Sequence, residues 1–376
     1  MSTGPFRDAS EVTTKLLRVG TFNTEFEKKV SDEGTFGGMG VAVVDMTTGS
    51  PRYGTTAEEH VDKHVFSLAK LAPFFAAHYL RWRLKNEFKG DPAKTADELV
   101  AKIEKTWKPA IAAKVQSRTS NPDFPRIKKI FDLSSGPPWD FKFKERTDTG
   151  TKTDDENWKR LQDLDNKYRG EVPKKEIDPL PFLQRMRLMV RMSDNNAAGS
   201  VASDIGLAYM FGALVAEGLY TVTGKNEGHG LWLSNTYGYD GKFMGVEGKG
   251  DDLTAGATAF AVAEYLTRLH LKTLVDPDGC KDMLEILKER SGTSIGTMSR
   301  FDNSARRKVL FSKIGLWVGT NNASDGAIIE SQGKTASGAI KNVTYIAVAL
   351  QDLGGSRMRR MVRIMEDHVK AANGLT

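Results

Sequence analysis

The chain has 376 residues, 39% of them hydrophobic and 27% charged, which is the composition of a globular protein that can bury a sizeable core. Its net charge of +6, from 54 basic and 48 acidic side chains mixed along the sequence, is too small and too dispersed to predict a nucleic-acid partner. Cys280 is the only cysteine, which excludes an intrachain disulfide, and no apolar run approaches the roughly 20 residues of a membrane span.

The N-terminal part predicts a helix, a hairpin and the start of a second helix. Apolar residues recur at helical spacing over residues 10–30. The members of this stripe are Val12, Leu16, Val19, Phe22, Phe26 and Val30. The run GVAVVDM at 40–46, the turn TTGS and a short strand through Arg52 and Tyr53 predict an antiparallel hairpin. A helix then begins near Ser67.

The middle of the chain, from about residue 84 to 253, is predicted to be mainly helical. Helical patterns occupy residues 95–115, 155–168 and 181–220. The polar, proline-bearing stretch 134–157 predicts a loop, and the glycine-rich stretch 221–253 predicts irregular structure.

The last third predicts helices near 254–272 and 277–290, then three strands and a C-terminal helix. The strands are predicted at 308–318, 325–331 and 342–351. In the final helix an apolar stripe repeats at helical spacing: Met358, Met361, Val362, Met365 and Val369. The four arginines between them, 357, 359, 360 and 363, are therefore assigned to the solvated side of that helix rather than to a nucleic-acid site.

Strands that are segregated to the two ends of a chain must meet to complete one sheet. The sequence therefore predicts an α+β protein with a five-stranded antiparallel sheet, flanked by the terminal helices and carrying an inserted, mostly helical domain. Residues 1–83 and 254–376 would form the discontinuous sheet domain, and 84–253 the helical domain, with an expansion near 88–180.

Ser67-Leu68-Ala69-Lys70 is an S-x-x-K motif at the start of an apolar helix. Residues three apart share a helix face, so a lysine there can take the serine proton if its surroundings favour the neutral amine. The motif is weak alone, because Ser331-Gln332-Gly333-Lys334 repeats it at a strand end, where we regard it as accidental.

Two further elements have both a structural and a functional interpretation. Ser193-Asp194-Asn195 begins a helix, where all three residue types are favoured as N-caps. Lys313-Ile314-Gly315 lies inside an apolar strand. Lysine there is either an edge residue or part of a site, and a glycine inside a strand often marks the close approach of a backbone or ligand.

The three elements together, in this order, resemble the serine β-lactamases and related D,D-peptidases, nearest the class A pattern. The hairpin, the nucleophile helix, the helix after Asn195 and the last strands resemble that family as well, over roughly 230 residues of the chain. The resemblance implies the β-lactamase-like fold and a serine acyl-transfer hydrolase.

The resemblance also implies roles for individual residues. Ser67 would be acylated and Lys70 would activate it. Ser193 would relay a proton to the leaving group, Asn195 would hydrogen-bond the substrate, and Lys313 would add positive charge. Gly315 and Leu316 would line the substrate site, with the backbone N–H groups of Ser67 and Leu316 forming an oxyanion hole.

Two positions depart from the family pattern. Ile314 replaces a Thr or Ser whose hydroxyl helps to hold a substrate carboxylate, so we expect weak turnover of penicillins and better reaction with neutral esters or amides. The glutamate that activates the deacylating water is not evident. Glu227 and His229 are candidate bases, although both are more simply ordinary loop residues, and Leu231 stands where an asparagine is usual.

Other classes of function remain open. A protein of this fold that binds without turnover is the main alternative, favoured by Ile314 and the missing glutamate. Gly292-Thr293-Ser294-Ile295-Gly296 matches the nucleophile elbow of α/β-hydrolases, but a predicted helix precedes it where that elbow needs a strand. We expect a small-molecule or peptide-like acyl substrate, without cofactor, metal, nucleic acid or membrane partner. No signal peptide is evident, so we expect a cytoplasmic protein, or a secreted one if a leader was removed.

Overall fold

The structure is a computed structural model. It describes residues 4–8, 12, 16, 20–34, 36–115, 124–145, 154–168, 171–224, 227–246, 255–288, 307–316, 322–352 and 355–376. The strands are β1 (Gly40–Asp45), β2 (Arg52–Thr55), β3 (Phe131–Asp132), β4 (Lys142–Phe143), β5 (Tyr220–Gly224), β6 (Glu227–Gly230), β7 (Trp232–Leu233), β8 (Ala255–Gly256), β9 (Arg307–Leu316), β10 (Ala323–Lys334) and β11 (Ile340–Asp352).

The helices surround and interrupt this set of strands. They are α1 (Gly20–Asp32), α2 (Leu71–Phe88), α3 (Ala96–Ala112), α4 (Ile127–Ile130), α5 (Asp154–Tyr168), α6 (Lys174–Ile177), α7 (Phe182–Arg187), α8 (Asn195–Ile205), α9 (Leu207–Ala216), α10 (Ala259–His270), α11 (Pro277–Lys288) and α12 (Gly355–Ala372). A 3-10 turn at Phe66–Lys70 precedes α2, and a π-helical turn at Leu188–Met192 precedes α8.

The predicted five-stranded antiparallel sheet is confirmed. Its strand order is β2-β1-β11-β10-β9, so the N-terminal hairpin adds to the C-terminal strands through the pairing of β1 with β11. In that pairing Gly40 lies opposite Leu350 and Asp45 opposite Tyr345. The remaining strands form three two-stranded sheets, β3-β4, β5-β6 and β7-β8.

Side chains alternate between the two faces of the five-stranded sheet, and each face has its own core. The outer core packs the sheet against α1 and α12, and it includes Phe26, Val41, Val43, Ile329, Tyr345, Met361 and Met365. The inner core joins the opposite face to α2, α8 and α10, and it includes Ala42, Val44, Ile328, Ile346, Phe75, Val201 and Leu266. The inner core continues into the helical middle of the chain.

The C-terminal helix has the predicted sidedness. Its five stripe residues, Met358, Met361, Val362, Met365 and Val369, are all buried in the outer core. Arg359, Arg360 and Arg363 are exposed on the other side of the same helix, whereas Arg357, assigned to that side as well, is half-buried. The period of 3.6 residues was therefore sufficient to orient this element.

Three local predictions are corrected. The first helix begins at Gly20, and Val12 and Leu16 lie outside any helix, although Leu16 is buried. The predicted loop at 134–157 contains β4 and the start of α5, and its aromatic residues Trp139, Phe141 and Phe143 are buried. The stretch expected to be irregular contains β5, β6 and β7, because short strands leave too few residues for a clear alternation.

The division into a sheet domain and a helical domain stays a prediction. Within the described ranges, no single helix has the length and apolarity to cross a membrane. Helices α8 and α9 meet that requirement only as a pair, with an 81° bend between them.

Candidate active site

Ser67 and Lys70 both lie in the 3-10 turn that leads into α2. In a 3-10 helix, side chains three residues apart are eclipsed, so the two side chains point the same way. Lys70 Nζ donates a hydrogen bond to Ser67 Oγ at 3.0 Å. Lys70 is completely buried and Ser67 is half-buried, so the hydroxyl can be reached while the amine is shielded. Phe66 precedes them in the left-handed region (φ 50°), a strained conformation of the kind that clusters at functional sites.

The loop before α8 forms the second wall of the site. Ser193 ends the π-helical turn in the left-handed conformation (φ 61°, ψ 26°), and its carbonyl oxygen accepts a hydrogen bond from Lys70 Nζ. Lys70 also donates to Asn195 Oδ1 at 2.7 Å. With its oxygen on Lys70, the Asn195 amide keeps its NH₂ group as a donor for a substrate carbonyl.

Asp194, between those two residues, is the N-cap of α8. Its carboxylate accepts from Ala197 N at 2.6 Å and from Val172 N at 2.7 Å, at the end of the expanded middle of the chain. Asn196 returns a hydrogen bond to the carbonyl oxygen of Val172 at 3.0 Å. The capping interpretation therefore holds for Asp194, while Ser193 and Asn195 face Lys70.

The third wall is the C-terminal part of β9, the edge strand of the five-stranded sheet. Lys313 is buried and its Nζ donates to Ser193 Oγ at 2.9 Å and to Ile314 O at 2.9 Å. Lys70 and Lys313 thus contact Ser193 through two different oxygens, one of the backbone and one of the side chain. Two buried lysines around one serine make this site suited to anionic or strongly polarised groups.

Gly315 explains how β9 can lie against the nucleophile turn. A Cβ atom at this position would lie 2.0 Å from Val65 O, 2.9 Å from Leu68 N and 3.1 Å from Ser67 N. The close approach expected of this glycine is therefore made by the protein's own backbone. The Ser67 amide lies beside Gly315, and Leu316 directly follows Gly315 in the chain. The two amides expected to form the oxyanion hole therefore both adjoin this contact.

Ile314 lies on the other side of β9. Alternation along the strand puts Lys313 and Gly315 on one face and Ile314 and Leu316 on the other, where Leu316 packs against the outer core. The Ile314 side chain is only 2% exposed. Packing is therefore a simpler role for this residue than contact with the anionic group of a substrate.

Of the two candidate deacylation bases, the structure describes the side chain of His229 but not that of Glu227. His229 lies in β6, opposite Thr221, and its ring packs against His60 with 5.4 Å between ring centroids. Glu227 begins β6, and its side chain is outside the described part of the chain. Neither role is tested by this arrangement.

Tyr237 is a site residue that the sequence analysis missed. Lys70 Nζ lies over its ring, 5.1 Å from the centroid. Burial raises the pKa of the Tyr237 phenol, and its buried hydroxyl has no hydrogen-bond partner among the residues that the structure describes. The only signal in the sequence was the turn-forming run TYGYDG. It indicates a loop but not which part of the protein the loop contacts.

The competing motifs do not assemble a second site in the described residues. Ser331 of the repeated S-x-x-K is buried in β10, where it bonds to Glu366 of α12 at 2.5 Å, on the outer side of the sheet. The 292–296 motif lies outside the described residues. Among the side chains that the structure describes, no group of three or more His, Cys, Asp and Glu is arranged to hold a metal ion.

Comparison with protein families shows what the chain is similar to in sequence. A profile of the beta-lactamase enzyme family matches residues 144–341, just over half of the chain. That segment includes Ser193, Asn195 and Lys313, while Ser67 and Lys70 precede it. No curated protein matches the chain.

Several solved structures align with almost the whole chain at low identity. A class A beta-lactamase from Bacteroides cellulosilyticus is 12% identical over 94% of this chain and 98% of that chain, with a TM-score of 0.47. A beta-lactamase from Chitinophaga pinensis is 13% identical over 94% and 100%, with a TM-score of 0.47. A structure titled PBP-A is 12% identical over 95% and 97%, with a TM-score of 0.45.

Proposed function

The chain belongs to the beta-lactamase enzyme family, and from that premise we propose that it is a serine hydrolase that transfers an acyl group through Ser67. The substrate class is an amide, an ester or a β-lactam. The observation that carries the proposal is the 3.0 Å hydrogen bond between Lys70 Nζ and Ser67 Oγ, in a site that also contains Ser193 and Lys313.

The proposed reaction has two halves. In the first, neutral Lys70 takes the Ser67 proton, the Ser67 Oγ–carbonyl bond forms, and the amides of Ser67 and Leu316 stabilise the oxyanion. The proton then passes through the Ser193 hydroxyl to the leaving nitrogen or oxygen as its bond to the carbonyl breaks. In the second half, water hydrolyses the ester on Ser67 and restores the hydroxyl. Lys313 supplies positive charge and orients Ser193 through its 2.9 Å hydrogen bond.

The first test is covalent labelling. The protein is incubated with a panel of β-lactams, a serine-directed phosphonate and activated neutral esters, and its intact mass is measured. We expect one adduct, which peptide mapping assigns to Ser67 and which Ser67→Ala abolishes. Ser294→Ala is the matched control and should label like the wild type. A label that survives Ser67→Ala but is lost in Ser294→Ala would move the nucleophile to the other serine motif.

The role of Lys70 is tested separately from that of Lys313. General-base catalysis contributes about 10²–10⁴-fold. Lys70→Ala should slow acylation by that factor at neutral pH, and the rate should recover in alkaline buffer, where the serine loses its proton more readily. Lys313→Ala should weaken the reaction of anionic substrates more than that of neutral ones. A Lys70→Ala variant that acylates at the wild-type rate contradicts the assignment.

A protein that binds but does not turn over is the second candidate, and one observation favours it. Lys70 donates to three acceptors, Ser67 Oγ, Ser193 O and Asn195 Oδ1. Three donated bonds are the full capacity of an ammonium group, which cannot accept a proton until it has lost one. Saturable binding of a β-lactam or ester without any mass adduct, from pH 6 to pH 10, would support this candidate over the hydrolase.

A further inference from the structure

We propose that Tyr237 is a positioning residue for Lys70: the face of its ring stabilises the ammonium form and sets the pH at which Lys70 becomes available as a base. The proposal rests on the function proposed above for Ser67 and Lys70. Its primary observation is the placement of Lys70 Nζ over the Tyr237 ring, 5.1 Å from the centroid. A cation within about 6 Å of an aromatic centroid is attracted by the negative face of the ring, more strongly when both are shielded from water.

The loop that carries Tyr237 is built to hold it in an unfavourable conformation. Tyr237 has φ 51°, a left-handed value that is uncommon for an aromatic residue. Its backbone N–H donates to Asn235 Oδ1 at 3.0 Å, and the Thr236 hydroxyl donates to Asp240 Oδ1 at 2.7 Å. Thr236 N also donates to Lys242 O at 3.2 Å. These bonds offset the backbone strain and fix the direction of the ring.

The same loop is seated on the helix that contributes Asn195. A Cβ atom at Gly199 of α8 would lie 2.1 Å from Thr236 O and 2.4 Å from Tyr239 Cβ. Only a glycine therefore allows the loop to approach α8 this closely. Asn195 and Tyr237, which both contact Lys70, are consequently placed by one rigid element.

Charged and titratable groups from each neighbouring element bear on Lys70. Lys313 of β9 donates a hydrogen bond to the Ser193 hydroxyl. Its positive charge repels the Lys70 ammonium. Asp194 precedes α8 with its carboxylate directed to the N–H groups of Ala197 and Val172. The phenol of Tyr237 is neutral at neutral pH, as a tyrosine with the ordinary pKa of about 10 would be, and burial raises its pKa further. The ring therefore stabilises the Lys70 ammonium through its quadrupole and not through a phenolate charge.

The experiment compares three replacements of Tyr237. Tyr237→Phe keeps the ring face and removes the hydroxyl, Tyr237→Leu removes the ring, and incorporation of 3,4,5-trifluorophenylalanine keeps the ring shape while weakening its negative face. Lys167 and Tyr168 form a second lysine–tyrosine contact, with 4.8 Å from Nζ to the ring centroid, in which the lysine is exposed and the tyrosine is half-buried, so Tyr168→Leu is the matched control. Because the fluorinated residue preserves packing, the test does not depend on the leucine variant folding.

Two readouts are recorded as functions of pH. The first is the rate of Ser67 acylation by the probe identified above. The second is the titration of Lys70 by NMR in protein labelled with ¹³C at lysine Cε, assigned with Lys70→Arg. Loss of the ring favours the neutral amine, so the Lys70 titration midpoint should fall by about one pH unit in the leucine and trifluorophenylalanine variants. It should stay within about 0.3 unit in Tyr237→Phe and Tyr168→Leu.

The acylation profile should move with the titration. Its acid limb should shift downward by the same amount in the variants that lack an electron-rich ring. Unchanged midpoints in both of those variants overturn the role of Tyr237, whatever the rates do. If the wild type does not acylate with any probe, the proposed function fails, and the NMR titration still decides whether Tyr237 acts on Lys70.

Discussion

The two faces of the five-stranded sheet bury similar side chains but do different things. The outer face packs against α1 and α12 mainly through aliphatic and aromatic residues, with a buried polar contact where Ser331 bonds to Glu366. The inner face is equally apolar along β1 and β11, but at the end of β9 it carries Lys313 and Gly315 against the turn that holds Ser67. The contrast indicates that chemistry is confined to one corner of one face, while the rest of the sheet provides rigidity.

A single irregularity in β9 decides which residues reach that corner. The pairing of β9 with β10 shifts between Val309, which lies opposite Ile329, and Phe311, which lies opposite Ile328, so Leu310 is an extra residue. Val309 belongs to the outer core, while Phe311 packs against the inner one. Without the bulge, Lys313 and Gly315 would point outward and Ile314 would face Ser67.

The largest effect is expected on the outer face and should be purely structural. Phe26 of α1 is fully buried there, so Phe26→Ala should lower the free energy of unfolding by about 3–5 kcal/mol. The acylation rate of the remaining folded protein should be unchanged. Urea denaturation measures the first quantity, and Phe243→Ala, at a side chain that is 50% exposed, is the control. If folded Phe26→Ala acylates more slowly than the wild type, the outer face does not have a purely structural role.

On the inner face, one methyl group should act mainly on activity. Gly315→Ala must push β9 away from Val65 and Ser67, and a displacement of about 1 Å can cost a reaction about 10²-fold. The rate of Ser67 acylation should therefore fall by at least that factor. Gly90→Ala introduces a Cβ with no atom within 4 Å and should react normally. If Gly315→Ala acylates at the wild-type rate, the tight contact at Gly315 does not align the oxyanion hole.

The outer face also contains a titratable group, His368 of α12. Its Nε2 lies 2.9 Å from Phe22 O, and burial, with a smaller contribution from Lys29, lowers its pKa to about 4. The unfolded chain takes up this proton near pH 6.5, so the stabilisation is complete above that pH and is lost as the pH falls towards 4. The loss attributable to His368 should be about 2 kcal/mol.

His368→Gln, which can still donate to Phe22 O, provides the comparison. The difference in unfolding free energy between wild type and variant should change between pH 6.5 and pH 4 and be constant above pH 7. Equal acid sensitivity of the two proteins would exclude His368 as a source of the pH dependence.

The smallest effect is expected for Ile314→Val, at a residue on the outer side of β9. Ile314→Val removes one methylene and should cost about 0.5–1.5 kcal/mol of stability. Ile314→Thr should cost about 1–3 kcal/mol more if its hydroxyl finds no partner in the buried position. The ratio of acylation rates for a penicillin and a matched neutral ester should be the same in both variants. A tenfold rise of that ratio in Ile314→Thr would show that position 314 reaches the substrate carboxylate, as the sequence first suggested.

The sequence was most informative where one period dominates. The stripe of α12 predicted both the helix and its buried side, because a regular repeat needs no knowledge of distant residues. The runs that form β1, β10 and β11 were predicted as strands, but without an assignment of their two sides. Ser67, Lys70, Ser193, Asn195 and Lys313 were found by motif, and the structure brings them together.

What the sequence could not supply depends on contacts between distant segments. Tyr237 meets Lys70 only because Gly199 lets its loop approach α8, and no local pattern encodes that pairing. The burial of Ile314 depends on the bulge at Leu310, which shifts alternation by one residue and has no distinctive composition. The burial of Trp139, Phe141 and Phe143 was not predicted, because they lie in a polar stretch and the residues they pack against lie elsewhere in the chain.

The pairing of β1 with β11 has a consequence for the order of events during synthesis. The hairpin of β1 and β2 leaves the ribosome long before the strand that completes its hydrogen bonds, residues 340–352, has been made. The turn around Ser67 must likewise wait for Gly315. Such non-local contacts slow folding and leave strand edges exposed to aggregation in the meantime. The nascent chain must therefore carry an unfinished hairpin and an unformed nucleophile turn until β9 and β11 emerge.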